Sequence, residues 1–128
     1  MFLAAHPTRL CSIREVADHY EVSYNHLVKV VHRLSQLGYV QSVKGKGGGI
    51  KLAQDAMTLK LGEIVKMLEP NMDIVECFNR DTNTCRITNS CQLKHYLFDA
   101  KSAFIASLNN RTLADTVKNA NTKYSPFL

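Results

Sequence analysis

Cys77, Cys85 and Cys91 stand in the spacing C-x7-C-x5-C, in a chain of 128 residues that has four cysteines in all. Thiolates at such short spacing hold soft metals: zinc, copper(I) or the iron of an iron–sulfur cluster. His95 lies one helical turn beyond Cys91, so a zinc site of three cysteines and one histidine is a second reading. A disulfide with one spare thiol is a third, and a reducing cell interior disfavours it. The spacing is not a ferredoxin run. Three protein ligands leave a position to be filled from elsewhere, which suits a labile site that a diatomic gas or an oxidant can reach. The fourth cysteine, Cys11, adjoins the apolar start of a helical pattern and reads as a core thiol.

A second set of residues suits a polyanion. Lysine and arginine number 16 against 11 acids, a net charge of +5, and such a balance favours nucleic acid as a partner. The excess is concentrated between Tyr24 and Lys51, which hold five Lys/Arg, His26 and His32, and no acid. Tyr24, Asn25, His26 and Lys29 open a helical pattern there. Asparagine pairs with adenine through two hydrogen bonds, and lysine donates to guanine or phosphate. Arg33, farther along, suits a phosphate or an internal acid. Lys44 and Lys46, in the run KGKGGG, suit backbone or minor-groove contact. A single lysine is ordinarily a solvated charge, so it is the combination that carries the reading. The glycines are not a phosphate loop, because GxxxxGK[ST] is absent. No serine–histidine–acid set, carboxylate pair or HExxH is identifiable, and no enzyme is expected.

The elements that must position these residues follow from periodicity. Ser12 with Glu15 has capping-box spacing, and Ile13, Val16 and Ala17 give a helical stripe. Ser23 caps a second helix carrying Leu27, Val30, Val31, Leu34 and Leu37, which Gly38 ends. Glu21 to Ser23 join the two, as in a helix-turn-helix. Tyr39 to Val43 and Ile50 to Leu52 alternate as strands across the basic glycine turn, a wing. Thr58 caps a helix through Leu61, Ile64, Val65 and Leu68, ending before Pro70. A long helix from Cys91 or Leu93 to about Leu108 carries Leu93, Leu97, Ala100, Phe104 and Leu108 on one face, flanked by Tyr96, Ala103 and Ile105. So broad a stripe suits pairing with the same helix of a second copy, and packing on its own domain is the other reading. Thr112 caps a last short helix with Leu113 and Val117, and the tail from Asn119 is loose.

The fold class expected is mainly α with a small β-hairpin, a winged helix-turn-helix plus a long dimerisation helix. Residues 1–70 form the DNA-binding domain, 71–92 a cysteine-rich loop, and 93–128 the dimerisation and C-terminal helices. Apolar residues are 45% and charged residues 21%, a folded composition. No apolar run approaches the roughly 18 residues of a membrane helix, and no secretory leader is recognisable, so a cytoplasmic protein without a membrane partner is expected.

The segments SIREVADHYEVSYNHLVKVVHRLSQLGYVQSVKGKGGGIKLA, LGEIVKMLEP, CRITNSCQLK and TLADTV together resemble the bacterial winged-helix transcriptional regulators that sense through an iron–sulfur cluster. The resemblance covers nearly the whole chain and is nearest to the family's nitric-oxide-sensing repressors. It implies that Cys77, Cys85 and Cys91 hold a [2Fe-2S] or [4Fe-4S] cluster. It also implies a homodimer on a palindromic double-stranded promoter site, nitric oxide as the signal, and DNA release switching on nitrosative-stress genes. In the family's cluster-assembly regulators a histidine three residues after the last cysteine is a ligand. Lys94 holds that position here and His95 is one out of register, which favours the gas sensor. The gap between the first two cysteines is slightly longer than usual for the family. The family begins with a full helix upstream of the point where this chain starts. The chain is therefore expected to be truncated at its front, with the cluster absent or labile. The alternatives are an iron–sulfur or redox-status regulator of the same family and a zinc-stabilised winged-helix interaction module.

Overall fold

The computed structural model describes residues 1–118, and the loose tail expected from Asn119 lies outside them. The chain divides into two compact units. One runs from Met1 to Leu59 and takes in the segment from Thr112. The other is Lys60–Arg111.

The first unit begins with a single helical turn, α1 (Phe2–Ala5). Two longer helices, α2 (Ile13–His19) and α3 (Tyr24–Gln36), follow. The caps are those the sequence predicts. Ser12 Oγ accepts from the Glu15 N–H at 3.0 Å, and Ser23 Oγ from the His26 N–H at 3.4 Å. Each cap stabilises its helix by about 1 kcal/mol. Gly38, at φ 77°, ends α3 in the left-handed conformation.

The wing is β1 (Val40–Val43) against β2 (Gly49–Leu52), antiparallel, with Val40 opposite Leu52 and Val43 opposite Gly49. Cys11 extends this ladder from the far side. Its N–H donates to Ile50 O at 2.9 Å, and Ile50 N–H returns to Cys11 O at 2.8 Å. A Cβ on Gly48 would lie 2.2 Å from Val43 O, so the tip closes this tightly only with glycine there.

Phe2, Cys11, Val16, Val31, Val40 and Ile50 form the core, with Leu27 and Leu34 half-buried against it. Full burial of side chains this size is worth about 1.5–3 kcal/mol each. The core thus ties both helices and the wing to one centre, which fixes the wing relative to α3.

The turn between α2 and α3 holds one strained residue, Glu21 at φ 53°. A side chain in that region costs roughly 1 kcal/mol. Glu21→Gly is expected to leave the urea midpoint unchanged or raised, because relief of strain offsets the added freedom of the unfolded chain. Glu21→Val, stiff at its branch, should lower stability by about 1 kcal/mol. A lowered midpoint for the glycine variant would contradict this account.

In the second unit α4 (Leu61–Leu68) packs on α5 (Gln92–Asn109). The approach is close. A Cβ on Gly62 would lie 2.4 Å from Asn109 Oδ1 and 2.7 Å from Ile105 O. Asn109 Nδ2 donates to Glu63 Oε1 at 3.0 Å, and the Leu61 N–H to Arg111 O at 3.0 Å. These contacts place α4 with α5, whereas the sequence division at 70 and 92 places it with the wing.

Three local expectations are corrected. Thr58 does not cap α4; its hydroxyl donates to Asp55 O in a preceding turn, and Lys60 takes the N-cap position. Thr112 does not cap the last helix, α6 (Asp115–Lys118), as acceptor. Its N–H and Oγ1 both donate to Asp115 Oδ2 instead. The apolar stripe of α5 is split between two faces. Ile105 is buried and Leu97 and Leu108 are half-buried, whereas Leu93 (61% exposed), Tyr96 (66%) and Phe104 (53%) point outward. One face therefore serves this chain's own core and the other is uncovered. No helix among the described residues is long and apolar enough to cross a membrane.

Candidate nucleic-acid interface and metal centre

The first turn of α3 carries Tyr24, Asn25 and His26, all exposed, and Lys29 and Arg33 follow on exposed positions. The Ser23 cap fixes where the helix begins and so which side chains lead it. None of Lys29, Arg33, Lys44 and Lys46 forms an ion pair with an acid among the described residues. Lys44 and Lys46 sit on the exposed tip of the wing, where Gly45 and Gly47 take φ of 99° and 80°. Lysines on so short a hairpin are held near one another and near the open end of the ladder.

Arg14 was not among the residues the sequence singles out. Its guanidinium lies 4.3 Å from the centre of the Tyr24 ring, a cation–π contact across the helix-turn-helix. Nothing in the spacing reveals it, because the pair depends on the angle at which α2 crosses α3. Arg9 is taken up elsewhere. It grips Glu15 through two hydrogen bonds of 2.6 and 3.0 Å. That grip, above all the hydrogen bond, holds the Glu15 carboxyl below the usual carboxylate range. Glu63 is held low in the same way, first by Asn109 and then by Lys66.

The three clustered cysteines all lie in the second unit, all half-buried, and none is in a disulfide. Cys77 is the middle residue of a 3-10 turn, Glu76–Phe78. Cys85 sits in a turn stitched by side chains. Its N–H donates to Asn83 Oδ1 at 3.0 Å, and its carbonyl accepts from Thr88 Oγ1 at 2.9 Å. Thr84 Oγ1 donates to the Glu76 carboxylate at 3.2 Å, joining the neighbours of Cys85 and Cys77. Cys91 occupies the N-cap position of α5 without a side-chain cap hydrogen bond, where the helix's unpaired N–H groups and positive dipole end lie.

The chemistry of this donor set fits a soft-metal group: three free thiols on one loop. Among the described residues no three His, Cys, Asp or Glu side chains stand close enough together to hold a metal ion. His95 does share a cleft with Cys77, about 260 Å³ in volume and lined also by Phe78, Arg80, Lys94, Phe98 and Lys101.

Cys11 is the core thiol its sequence context suggests. It is fully buried, and burial pushes its thiol up. In the folded protein at neutral pH, iodoacetamide is expected to label Cys77, Cys85 and Cys91 and to spare Cys11 until denaturant is added. Mass spectrometry of the labelled peptides reads this out. Early labelling of Cys11 would mean that the core between α2 and the wing opens freely.

Comparison with known proteins places these features. Residues 1–119 match the family described as "Rrf2: Iron-dependent Transcriptional regulator". The "HTH-type transcriptional regulator NsrR" of Bacillus subtilis (strain 168) is 47% identical over 120 residues, 93% of this chain and 82% of that protein. The protein of the same description from Shouchella clausii (strain KSM-K16) is 45% identical over 120 residues, 93% of this chain and 80% of that one. Among solved structures, T. potens IscR superposes with a TM-score of 0.70 at 26% identity, over 92% of this chain and 77% of that one.

Proposed function

The chain belongs to the Rrf2 family of iron-dependent transcriptional regulators, and from that premise we propose that it is a cytoplasmic, dimeric repressor that binds a palindromic promoter site and releases it in response to nitric oxide. That it is a DNA-binding transcriptional regulator and not an enzyme follows from the family. The signal, the cluster and the residues are the proposal.

Tyr24, Asn25, His26 and Lys29 enter the major groove, Arg33 holds phosphate, and Lys44 and Lys46 hold the backbone beside it. The observation that carries this is the acid-free stretch from Tyr24 to Lys51, whose helix and wing share one core. Two copies meet along the uncovered face of α5, where Leu93, Tyr96 and Phe104 are exposed. A pair of copies supplies two recognition helices, one for each half-site.

Cys77, Cys85 and Cys91 would hold an iron–sulfur cluster, which when bound supplies iron that reacts with nitric oxide. Three thiols from one short stretch of chain would hold the group together, so its binding and the order of this loop would be linked. Metal binding coupled to ordering in this way is general. The experiment is promoter binding followed by fluorescence anisotropy on the iron-loaded protein, before and after nitric oxide. Release is the expected result. Retained affinity after complete reaction would overturn the gas-sensing reading while leaving DNA binding intact. An anaerobic visible spectrum without thiolate-to-iron absorption, in protein that binds zinc and DNA, would favour structural zinc instead.

A further inference from the structure

The cleft beside Cys77 has a composition that metal holding does not require. Its lining contains Arg80, Lys94, His95 and Lys101, two phenylalanines and no acid. Lys101 Nζ lies 5.2 Å from the centre of the Phe78 ring, and the Phe78 and Phe98 rings meet edge to face at 6.2 Å. Neither arginine nor lysine of this group forms an ion pair with an acid among the described residues. Three permanent cations are thus gathered around an apolar floor, with a half-buried free thiol at the edge. A pocket of this size takes an amino-acid-sized molecule. Its charge selects an anion, its rings accept a short aliphatic chain, and its sulfur is positioned for exchange.

We propose that this cleft admits small carboxylate-bearing disulfides and that Cys77 is thiolated there by exchange. The Cys77 thiolate attacks one sulfur of the disulfide RSSR. The new Cys77–SR bond forms as the old S–S bond breaks, and the departing RS⁻ takes up the proton that Cys77 released. The Cys77 sulfur is oxidised, the leaving sulfur is reduced, and the disulfide is the only oxidant needed. The carboxylates of RSSR pair with Arg80, Lys94 and Lys101, raising its local concentration. The same sulfur is a ligand under the reading above, so the two uses exclude each other.

The test uses the full chain stripped of iron, so its outcome does not depend on whether a cluster binds. Three probes of similar size are compared: 3,3′-dithiodipropionate (anionic), 2-hydroxyethyl disulfide (neutral) and cystamine (cationic). Peptide mass spectrometry follows thiolation at each cysteine with time. With each rate divided by the same probe's rate at Cys77 in the unfolded chain, which removes the difference in leaving thiol, Cys77 is expected to react about tenfold faster with the anionic probe than with the cationic one, the scale set by two or three unit-charge contacts in a solvated cleft. The preference should shrink as salt is raised. In R80Q/K94Q/K101Q it should vanish at Cys77 and persist at Cys85, which has Arg86 beside it. Should that variant fail to fold, the salt series on the unaltered chain decides alone. Equal normalised rates for the three probes at Cys77, or a preference indifferent to salt, would overturn the proposal.

Discussion

Cys85→Ser is expected to reduce bound iron to background and to abolish the response to nitric oxide, while leaving the chain folded. The two halves of that expectation have separate causes. Serine offers no soft thiolate, so a donor set of three falls to two, too few for a stable cluster held by this loop. The fold is spared because every recorded hydrogen bond of Cys85 is made by its backbone. The N–H to Asn83 and the carbonyl to Thr88 survive the substitution. Substitutions at such half-exposed turn positions ordinarily shift stability by less than about 0.5 kcal/mol. Cys11→Ser gives the opposite pattern. It puts a hydroxyl into the core between Ile50 and Val16, at a cost of about 1–3 kcal/mol, and does not touch the iron. Iron per chain and a thermal melt on both variants separate the roles. Full iron in Cys85→Ser would remove that residue from the ligand set, and a collapsed melt would show the loop to be structural.

How much of this was legible in the sequence depends on the range of the forces involved. Caps and helix ends are local, and Ser12, Ser23 and Gly38 announced them correctly. The wing was legible because period-two alternation and the glycine run are also local. Thr58 and Thr112 misled because a threonine before an apolar run has two local uses, capping the helix or closing a turn. The Thr58 hydroxyl turns to the Asp55 carbonyl, and the Thr112 hydroxyl donates to the Asp115 carboxylate, so each is spent as a donor. The faces of α5 were not legible, since a broad stripe does not say which edge meets α4. Gly62 does, by letting the backbone of α5 come within reach. The thiol loop was legible as chemistry and not as geometry. Its turns depend on Asn83, Thr84 and Thr88 pairing with one another and with Glu76, a network of polar contacts without periodicity. Arg14 over Tyr24 was invisible for the same reason as Gly62: it belongs to the crossing of two elements.

The DNA-facing residues should fall into two kinds when substituted, and the difference is large enough to read. Lys44 and Lys46 lie on the exposed wing tip and pair with no acid among the described residues. Their contacts should therefore be to phosphate, which fixes position without reading sequence. Each phosphate contact contributes about 0.9 to the salt slope of binding, so removing two lysines from each of two copies should lower the slope by up to about 3.6. K44Q/K46Q should accordingly weaken specific and random DNA alike, by tenfold or more at moderate salt. Asn25 stands in the first turn of α3, exposed and neutral, where a side chain reaches base edges. Asn25→Ala should cost about 1–3 kcal/mol of discrimination against the wrong base, with the salt slope unchanged. Anisotropy titrations on the operator and on random DNA, over a range of salt, distinguish the two. A salt slope that fell in Asn25→Ala and held in K44Q/K46Q would reverse the assignment of α3 and the wing. Loss of discrimination in both would mean that the wing, and not only the helix, reads the bases. The rigid core between them makes the first pattern the expected one, because it presents α3 and the wing as a single surface. On such a surface the lysines hold the backbone while the helix start reads base edges, so each contribution can be removed without the other.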